Sequence, residues 1–244
     1  MNNFGIIIQA RMESKRLPHK VIEEIMGKTM IEHVISRCKE SKLSKKTVVA
    51  IADTPLSSKL VPIIKRSNAY LYKGSLENVL DRYIKAAERF KIDPIIRITG
   101  DCPLIDPNLI DSSIKRYNSF KKPLDYFFIY GYPRGLGDIE IFSLKGLKKA
   151  ASLTNDSSHL EHVFGFFSEN PAIFDIKILK APKKFYFPNL RLCVDEAPDI
   201  LLIREIFSRF KKDKGLYTPK ILEYLNQNPE LLEINKEVKQ APLR

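Results

Sequence analysis

Four basic side chains are concentrated near the start of the chain, between two apolar stretches. The segment GIIIQARMESKRLPHKVIE, residues 5–23, carries Arg11, Lys15, Arg16 and Lys20 within ten positions. Converging cations and the backbone N–H groups at a helix start form a good cradle for a triphosphate. Neither GxxxxGK[ST] nor GxGxxG is present, so no motif supports a P-loop ATPase or a dinucleotide-binding enzyme. A mobile, solvated loop is the alternative, and charge density alone does not choose between the two.

A second polar group follows another apolar run. Thr99, Gly100 and Asp101 come directly after PIIRI, residues 94–98. In open parallel sheets, ligands bind beyond the carboxyl ends of the strands. The basic segment and Asp101 both follow a predicted strand, so the fold would bring them to the same edge of a sheet. Capping a turn is the alternative role for an aspartate before a Cys-Pro pair.

Strand and helix patterns alternate four times over the first half of the chain. Its apolar runs are short and rich in β-branched residues, which is typical of buried parallel strands. The segments between them have apolar residues at helical spacing. This order predicts an α/β fold with a mostly parallel central sheet and helices on both faces. The predicted strands are 4–10, 47–53, 69–74 and 94–98, and the predicted helices are 29–41, 55–67, 75–90 and 108–120.

Beyond residue 122 the alternation is less regular. Two strand-like stretches flank a turn rich in glycine and proline, and a strongly amphipathic helix comes last. No internal repeat or low-complexity linker is present, so we expect one domain. The predicted strands here are 124–130, 139–142, 174–179 and 190–195, and the predicted helices are 143–151, 157–168 and 198–210.

Composition narrows the class of protein without identifying it. The chain has 244 residues and a formal net charge of +12, from 41 basic and 29 acidic residues, which favours anionic partners. Cys38, Cys102 and Cys193 lie far apart, so neither a zinc cluster nor a disulfide framework is indicated. The N-terminus lacks a signal-peptide pattern, and no apolar run approaches the roughly 18 residues that a membrane-spanning helix needs. We therefore expect a cytoplasmic protein that does not cross a membrane.

Several motifs, in order, resemble one enzyme family. IIQARMESKRLPHKV is similar to the phosphate loop of the cytidylyltransferases related to CMP-Kdo and CMP-sialic acid synthetases, in particular the spore-coat-polysaccharide type. Further motifs recur in the same order in that family: VLDRYIKAA, IRITGDCPLID, YPRGL followed by EIF, and EHV. The segment LRLCVDEAPD shows a weaker similarity. The resemblance implies a Rossmann-like nucleotidyltransferase fold, CTP as the donor and Mg²⁺ as the metal ion. Since such relatives are often dimers, it also implies a homodimer, formed through residues 122–180.

The resemblance also assigns roles to individual residues. Arg11 and Lys20 match basic positions of the family loop and would hold the CTP phosphates, and Asp101 matches a metal-binding aspartate; these three form the expected catalytic set. Asp195 matches the second metal aspartate, although alone it is typical of a helix N-cap, a role for which Asp199 competes. The other nucleotide-binding residues would be Ala10, Ser14, Arg16, Asp53, Ser75 and Arg97, and the acceptor-binding residues Asp138, Glu140, Glu161 and His162.

Some of these positions carry alternatives or departures from the family pattern. Asp138 and Glu140 alternate along a predicted strand and would share a face, which contacts either the acceptor or solvent. Glu13 and His19 stand where relatives have glycine, and Lys15 replaces threonine. Glu13 would place a carboxylate inside a phosphate loop, where glycine allows close backbone approach and a positive φ.

The sequence therefore predicts a Mg²⁺-dependent cytidylyltransferase that acts in surface polysaccharide biosynthesis. Its acceptor would be anionic, a sugar acid or a phosphorylated sugar or polyol. Within the single domain, 1–244, residues 1–121 would bind nucleotide, 122–196 would serve the acceptor and the dimer, and 197–244 would form C-terminal helices. A non-enzymatic nucleic-acid-binding protein is one alternative, although no RRM, KH or helix-turn-helix signature supports it. A catalytically silent, nucleotide-binding relative is the other.

Overall fold

The computed structural model describes residues 3–210 and 215–239, and helices and short strands account for most of them. Parts of the predicted single domain, residues 211–214 and 240–244 of its C-terminal region, lie outside the described residues. The strands are β1 (Gly5–Ala10), β2 (Glu24–Ile25), β3 (Lys28–Thr29), β4 (Thr47–Ala52), β5 (Tyr70–Gly74), β6 (Ile95–Thr99), β7 (Tyr126–Tyr130), β8 (Glu140–Phe142) and β9 (Ile176–Lys180). The α-helices are α1 (Met30–Lys39), α2 (Val61–Arg66), α3 (Val79–Phe90), α4 (Pro107–Asn118), α5 (Leu144–Leu153), α6 (Ser157–Glu161), α7 (Gly165–Glu169), α8 (Ala197–Arg209) and α9 (Thr218–Gln227).

Seven of the strands form one mostly parallel sheet. Their order is β5-β4-β1-β6-β8-β7-β9. β1, β4, β5 and β6 run parallel, β8 is antiparallel to both of its neighbours, and β7 and β9 are parallel. The four predicted βα units of the first half therefore form, and β6 and β8 join them to the less regular second half.

Both faces of the sheet are covered, as predicted for continuous apolar strands. In β1, Ile6 and Ile8 pack on one face with α1 and α4, whereas Ile7 packs on the other face with α3 and α5. This alternation follows from the two-residue period of a strand. A third apolar cluster gathers α8 and α9 against Ile25 and Met30.

The structure differs from the sequence prediction at several elements. Residues 190–195 form no strand; Arg191 makes only an isolated bridge to Arg134, and Val194 N donates to Asp101 O. The predicted helix 157–168 is split into α6 and α7. Pro62 lies at the start of α2, so the predicted helix 55–67 becomes a 3₁₀ turn followed by six α-helical residues. The short β2–β3 hairpin and α9 were not predicted individually.

The C-terminal segment is tied to the turn that follows β6. Asp106 caps α4 through one carboxylate oxygen, and its other oxygen accepts hydrogen bonds from the backbone N and the hydroxyl of Thr218, at 2.8 and 2.6 Å. Arg37 donates to the carbonyl oxygens of Ile105 and Leu216, both at 2.6 Å. These buried contacts fix the position of the turn that carries Asp101.

Candidate active site

A cleft of about 500 Å³ opens at the carboxyl ends of β1 and β6. This is the edge at which an open parallel sheet binds its ligands. Nine of the predicted site residues line it: Ala10, Arg11, Ser14, Arg16, Lys20, Asp101, Glu161, His162 and Asp195. Of the other lining residues, Lys15, Thr99 and Gly100 belong to the two polar segments noted in the sequence, whereas Gln9, Val21, Val79 and Arg82 were not selected from it.

Lys20 lies between the two predicted metal aspartates. Its Nζ is 2.8 Å from Asp101 Oδ2, 2.7 Å from Asp195 Oδ1 and 2.8 Å from the carbonyl oxygen of Val194. Burial lowers the pKa of Lys20, but the two carboxylates outweigh burial, and the pKa lies well above its ordinary value. Burial likewise raises the pKa of Asp101, yet the Lys20 ammonium holds it below the ordinary range. Lys20 and Asp101 are therefore both charged at neutral pH, and we call Lys20, Asp101 and Asp195 the ion triad.

The backbone of His19 is left-handed and turns the chain directly before Lys20. Its φ is +62°, in the left-handed region that favours glycine, and the 3₁₀ turn Lys20–Ile22 begins directly after it. This backbone suits the glycine that the family resemblance leads one to expect here, and His19 adopts the left-handed conformation instead.

A second layer of charges holds Asp195. Arg191 Nη2 donates to Asp195 Oδ2 at 2.7 Å and to Asp199 Oδ2 at 3.0 Å, and Arg16 contacts Asp195 Oδ2 at 2.9 Å. Asp199 also accepts the backbone N–H of Asp195. The alternative in which Asp195 caps the following helix is wrong, because Glu196 is the N-cap of α8 and Asp199 completes its capping box.

Arg11 and Glu161 form an ion pair beside the cleft. Arg11 Nη2 and Glu161 Oε1 are 2.9 Å apart, and each side chain is 41% exposed. Arg11 belongs to the loop after β1 and Glu161 ends α6, so the pair links two separate elements. His162, which also lines the cleft, directly follows α6.

Glu13 turns away from the predicted phosphate site. Its carboxylate accepts hydrogen bonds from the hydroxyls of Thr54 and Ser57, and the Ser57 hydroxyl accepts the backbone N–H of Met12. Burial raises the pKa of Glu13, but these hydroxyl hydrogen bonds bring it below the ordinary value. The expectation of a carboxylate inside the phosphate loop is therefore wrong, since Glu13 anchors the loop to the turn after β4.

Three predicted nucleotide-binding residues lie outside the lining of the cleft: Asp53, Ser75 and Arg97. Asp53 follows β4, is exposed, and is 3.9 Å from Lys73. Ser75 follows β5, where its hydroxyl accepts the backbone N–H of Asn78 and its carbonyl accepts a hydrogen bond from Arg82. Their nucleotide contacts stay predictions.

Arg97, Glu140 and Asp138 also lie outside the lining. Arg97 of β6 and Glu140 of β8 are directly paired and form a buried ion pair, and Glu140 also accepts the hydroxyl of Tyr126 at 2.9 Å. Asp138 precedes β8 rather than lying in it, so the shared strand face is wrong for this residue. It accepts the backbone N–H of Gly135 at 2.7 Å, and burial raises its pKa. The acceptor roles of Asp138 and Glu140 and the nucleotide role of Arg97 stay predictions.

The aspartate pair suits a hard divalent cation. Mg²⁺ takes one or two protein carboxylates and leaves its other positions to water and substrate phosphates. Asp101 and Asp195 already share one cation, the Lys20 ammonium, so their oxygens converge on a common point. Within residues 3–210 and 215–239, no cluster of three or more His, Cys, Asp or Glu side chains could hold a metal ion. A metal ion held by this aspartate pair would therefore take its other ligands from water and substrate phosphates.

None of the helices in the described ranges combines the length and apolar character required to cross a membrane.

Comparisons with known proteins agree with this arrangement. Residues 5–240 match the family model described as cytidylyltransferase. The chain is 30% identical over 236 residues to the spore coat polysaccharide biosynthesis protein SpsF of Bacillus subtilis, covering 94% of this chain and 97% of that protein. It is 33% identical over 111 residues to the 3-deoxy-manno-octulosonate cytidylyltransferase of Chloroherpeton thalassium, covering 45% and 44% of the two chains.

Solved structures extend the likeness to the whole fold. A cytidylyltransferase from Leptospira borgpetersenii superposes with a TM-score of 0.88 at 27% identity, covering 99% of both chains. A CMP:2-keto-3-deoxy-manno-octonic acid synthetase complexed with CTP has a TM-score of 0.65 at 17% identity and covers 85% of this chain and 99% of its own, a likeness of fold alone. The predicted α/β nucleotidyltransferase fold is confirmed, and the chain belongs to the cytidylyltransferase family, whose members are CTP-dependent nucleotidyltransferases.

Proposed function

We propose that this protein transfers CMP from CTP to an anionic acceptor, releases pyrophosphate, and serves the biosynthesis of a surface polysaccharide. The observation that carries the proposal is the ion triad of Lys20, Asp101 and Asp195 in a cleft that also displays Arg11 and Arg16. Membership of the family supports CTP as donor. The polysaccharide context is supported by the SpsF protein, which matches over nearly the whole chain.

The reaction needs charge neutralisation more than covalent help from the protein. An acceptor oxygen forms a bond to the α-phosphorus of CTP while the bond to the oxygen that bridges to the β-phosphate breaks, and pyrophosphate leaves with that electron pair. Such transfers are accelerated by positioning and by cations on the phosphate oxygens. We assign this work to Arg11, Arg16 and Lys20, with Ser14 and the backbone of Ala10 as neutral contacts of the loop.

Mg²⁺ would be held by Asp101 and Asp195. When bound, it would neutralise phosphate oxygens of the nucleotide. The Lys20 ammonium would then leave Asp101 and Asp195 and contact the phosphates. Each carboxylate would thus have a cation beside it throughout: Lys20 before nucleotide binding and Mg²⁺ after it.

The acceptor would lie near Glu161 and His162, beyond the phosphate loop. A sugar acid and a phosphorylated sugar or polyol both fit a chain with a net charge of +12. The homodimer through residues 122–180 and the cytoplasmic location also remain predictions.

Nucleotide selectivity can be tested before the acceptor is known. A ligand at a hundred times its dissociation constant adds about 2.7 kcal/mol to the free energy of unfolding, which raises the unfolding temperature of a domain of this size by about 5–10 °C. We expect this rise with CTP and Mg²⁺, and little with UTP, ATP or GTP. Equal rises with all four would contradict a cytidylyltransferase.

The rate of pyrophosphate release then tests the role of Asp101. Pyrophosphate release should be screened with CTP and a panel of sugar acids and phosphorylated sugars or polyols. Asp101→Asn should abolish release while keeping the unfolding temperature, because Lys20 retains Asp195 as a partner. The control is Asp175→Asn, which changes an exposed carboxylate just before β9. Undiminished release by Asp101→Asn would remove Asp101 from the mechanism.

A further inference from the structure

Arg82 is a buried cation at the border of the cleft. It belongs to the first turn of α3 and is 1% exposed. Its Nη1 donates to the carbonyl oxygen of Ser75 at 2.9 Å, but its Nε has no hydrogen-bond partner. In the part of the chain that the structure describes, no carboxylate lies within ion-pair distance of Arg82. Burying an unpaired charge and an unpaired N–H is costly, so a ligand that satisfies them is expected.

The position of Arg82 separates it from the metal aspartates. Its side chain packs beside Gly74 at the end of β5, whereas Asp101 follows β6. In the order β5-β4-β1-β6, these strands are three spacings apart, or about 14 Å. A triphosphate held at Lys20 and Asp101 would cross the loop after β1, and the nucleoside would extend toward Arg82.

The surroundings of Arg82 suit a flat heterocycle better than a phosphate. Val79 and Ala10 also line the cleft and give this end an apolar wall. Arg11 and Glu13 are charged side chains whose fields reach Arg82, and they act on it in opposite directions. The Glu13 carboxylate hydrogen-bonds to two hydroxyls and not to Arg82. Burial lowers the pKa of Arg82, and the neighbouring Arg11 lowers it further. Among the described residues, the guanidinium therefore has the Ser75 carbonyl oxygen as an acceptor but no carboxylate at ion-pair distance, and its Nε has no acceptor.

We infer that Arg82 reads the base of the nucleotide by donating hydrogen bonds to the adjacent O2 and N3 acceptors of cytosine. The inference rests on the proposed use of CTP. Cytosine offers two neighbouring acceptors in one plane, which match the forked donors of a guanidinium. Uracil keeps O2 but carries a hydrogen on N3, which would face an Arg82 donor and leave it unpaired. A buried donor that only the correct base satisfies gives strong discrimination.

Three ligands separate base reading from phosphate binding. Binding of CTP, UTP and inorganic triphosphate, each with Mg²⁺, should be measured by calorimetry on wild type and Arg82→Met. We expect the variant to bind CTP about 10-fold or more weakly, to lose most of its preference for CTP over UTP, and to bind inorganic triphosphate as wild type does. Arg89→Met is the matched control, because Arg89 is exposed on the same helix.

The other outcomes are distinguishable. An equal loss for CTP and inorganic triphosphate would make Arg82 a phosphate ligand, and unchanged CTP binding with an unchanged preference would also overturn base reading. Failure of wild type to bind any nucleotide would instead refute the proposed function. Should Arg82→Met fail to fold, Arg82→Lys keeps the charge and can keep the Ser75 contact without the fork. That variant should fold and lose the preference for CTP; a retained preference would refute the inference.

Discussion

Replacing Lys20 by methionine removes the ammonium from the ion triad and keeps most of the aliphatic side chain. Asp195 retains Arg191 and Arg16, but Asp101 loses the cation that lies 2.8 Å away. Removing one partner of a buried ion pair costs about 3–5 kcal/mol. Because the Asp101 side chain is 25% exposed, we expect the lower end, about 3 kcal/mol, which lowers the unfolding temperature by roughly 6–12 °C.

Adding Mg²⁺ tests whether the Lys20 ammonium and a metal ion compete for the two aspartates. In wild type the Lys20 ammonium fills the point on which the two carboxylates converge, so Mg²⁺ without nucleotide should hardly change the unfolding temperature. In Lys20→Met the ammonium no longer fills this point, so Mg²⁺ can bind between the two carboxylates. Millimolar Mg²⁺ should therefore restore part of the lost free energy of unfolding. The measurements are thermal and urea unfolding at neutral pH, with Mg²⁺ or with a chelator.

Two results would refute this reasoning. Unfolding of Lys20→Met within about 2 °C of wild type would correspond to less than about 1 kcal/mol and would mean that Lys20 does not neutralise Asp101. Equal stabilisation of both proteins by Mg²⁺ would mean that lysine and metal do not compete. Lys15→Met is the control, because Lys15 is an exposed lysine of the same loop.

Two further predictions concern carboxylates outside the triad. The hydrogen bonds that Glu32 accepts from Arg66 and from Thr29 lower the pKa of Glu32 to about 2, so its stabilising contribution is complete above about pH 4.5 and is lost as the pH falls toward 2. Glu32→Gln should therefore lower the free energy of unfolding, measured in urea, by about 1 kcal/mol at pH 7 and hardly at all near pH 2. A loss of stability that is the same at both pH values would mean that the ionised Glu32 carboxylate is not its cause. Glu13→Ala should lower the free energy of unfolding by about 1–2 kcal/mol and weaken CTP binding, because the phosphate loop loses its anchor at Thr54 and Ser57; calorimetry that shows unchanged CTP affinity would show that this anchor does not position the loop.

Much of the fold could be predicted because its strands are buried on both faces. The runs that became β1, β4 and β6 are mostly apolar, and each is followed along the chain by a helix. Residues 190–195 have a similar apolar pattern, but Leu192 and Val194 are buried against α8 and α9 rather than paired in a sheet. Burial pattern alone does not distinguish these two situations.

The candidate site was predictable only in part. The basic loop and Asp101 could be found because both follow strands. The contact of Lys20 with two aspartates, 81 and 175 residues away along the chain, depends on tertiary packing. Arg82 was missed, although a signal was available. It lies three residues after Val79, on the apolar face of α3, where an arginine must be buried.

The layered contacts around Asp195 also bear on how the protein is made. Lys20 comes from the first tenth of the chain, while Asn235 donates to both Arg191 O and Asp199 Oδ1 at the far end. During synthesis, N-terminal parts fold first, as residues emerge at about 5–20 per second. The cradle for Lys20 and Asp195 is therefore completed only after Asn235 has left the ribosome. A nascent chain that has not reached this residue would hold CTP poorly.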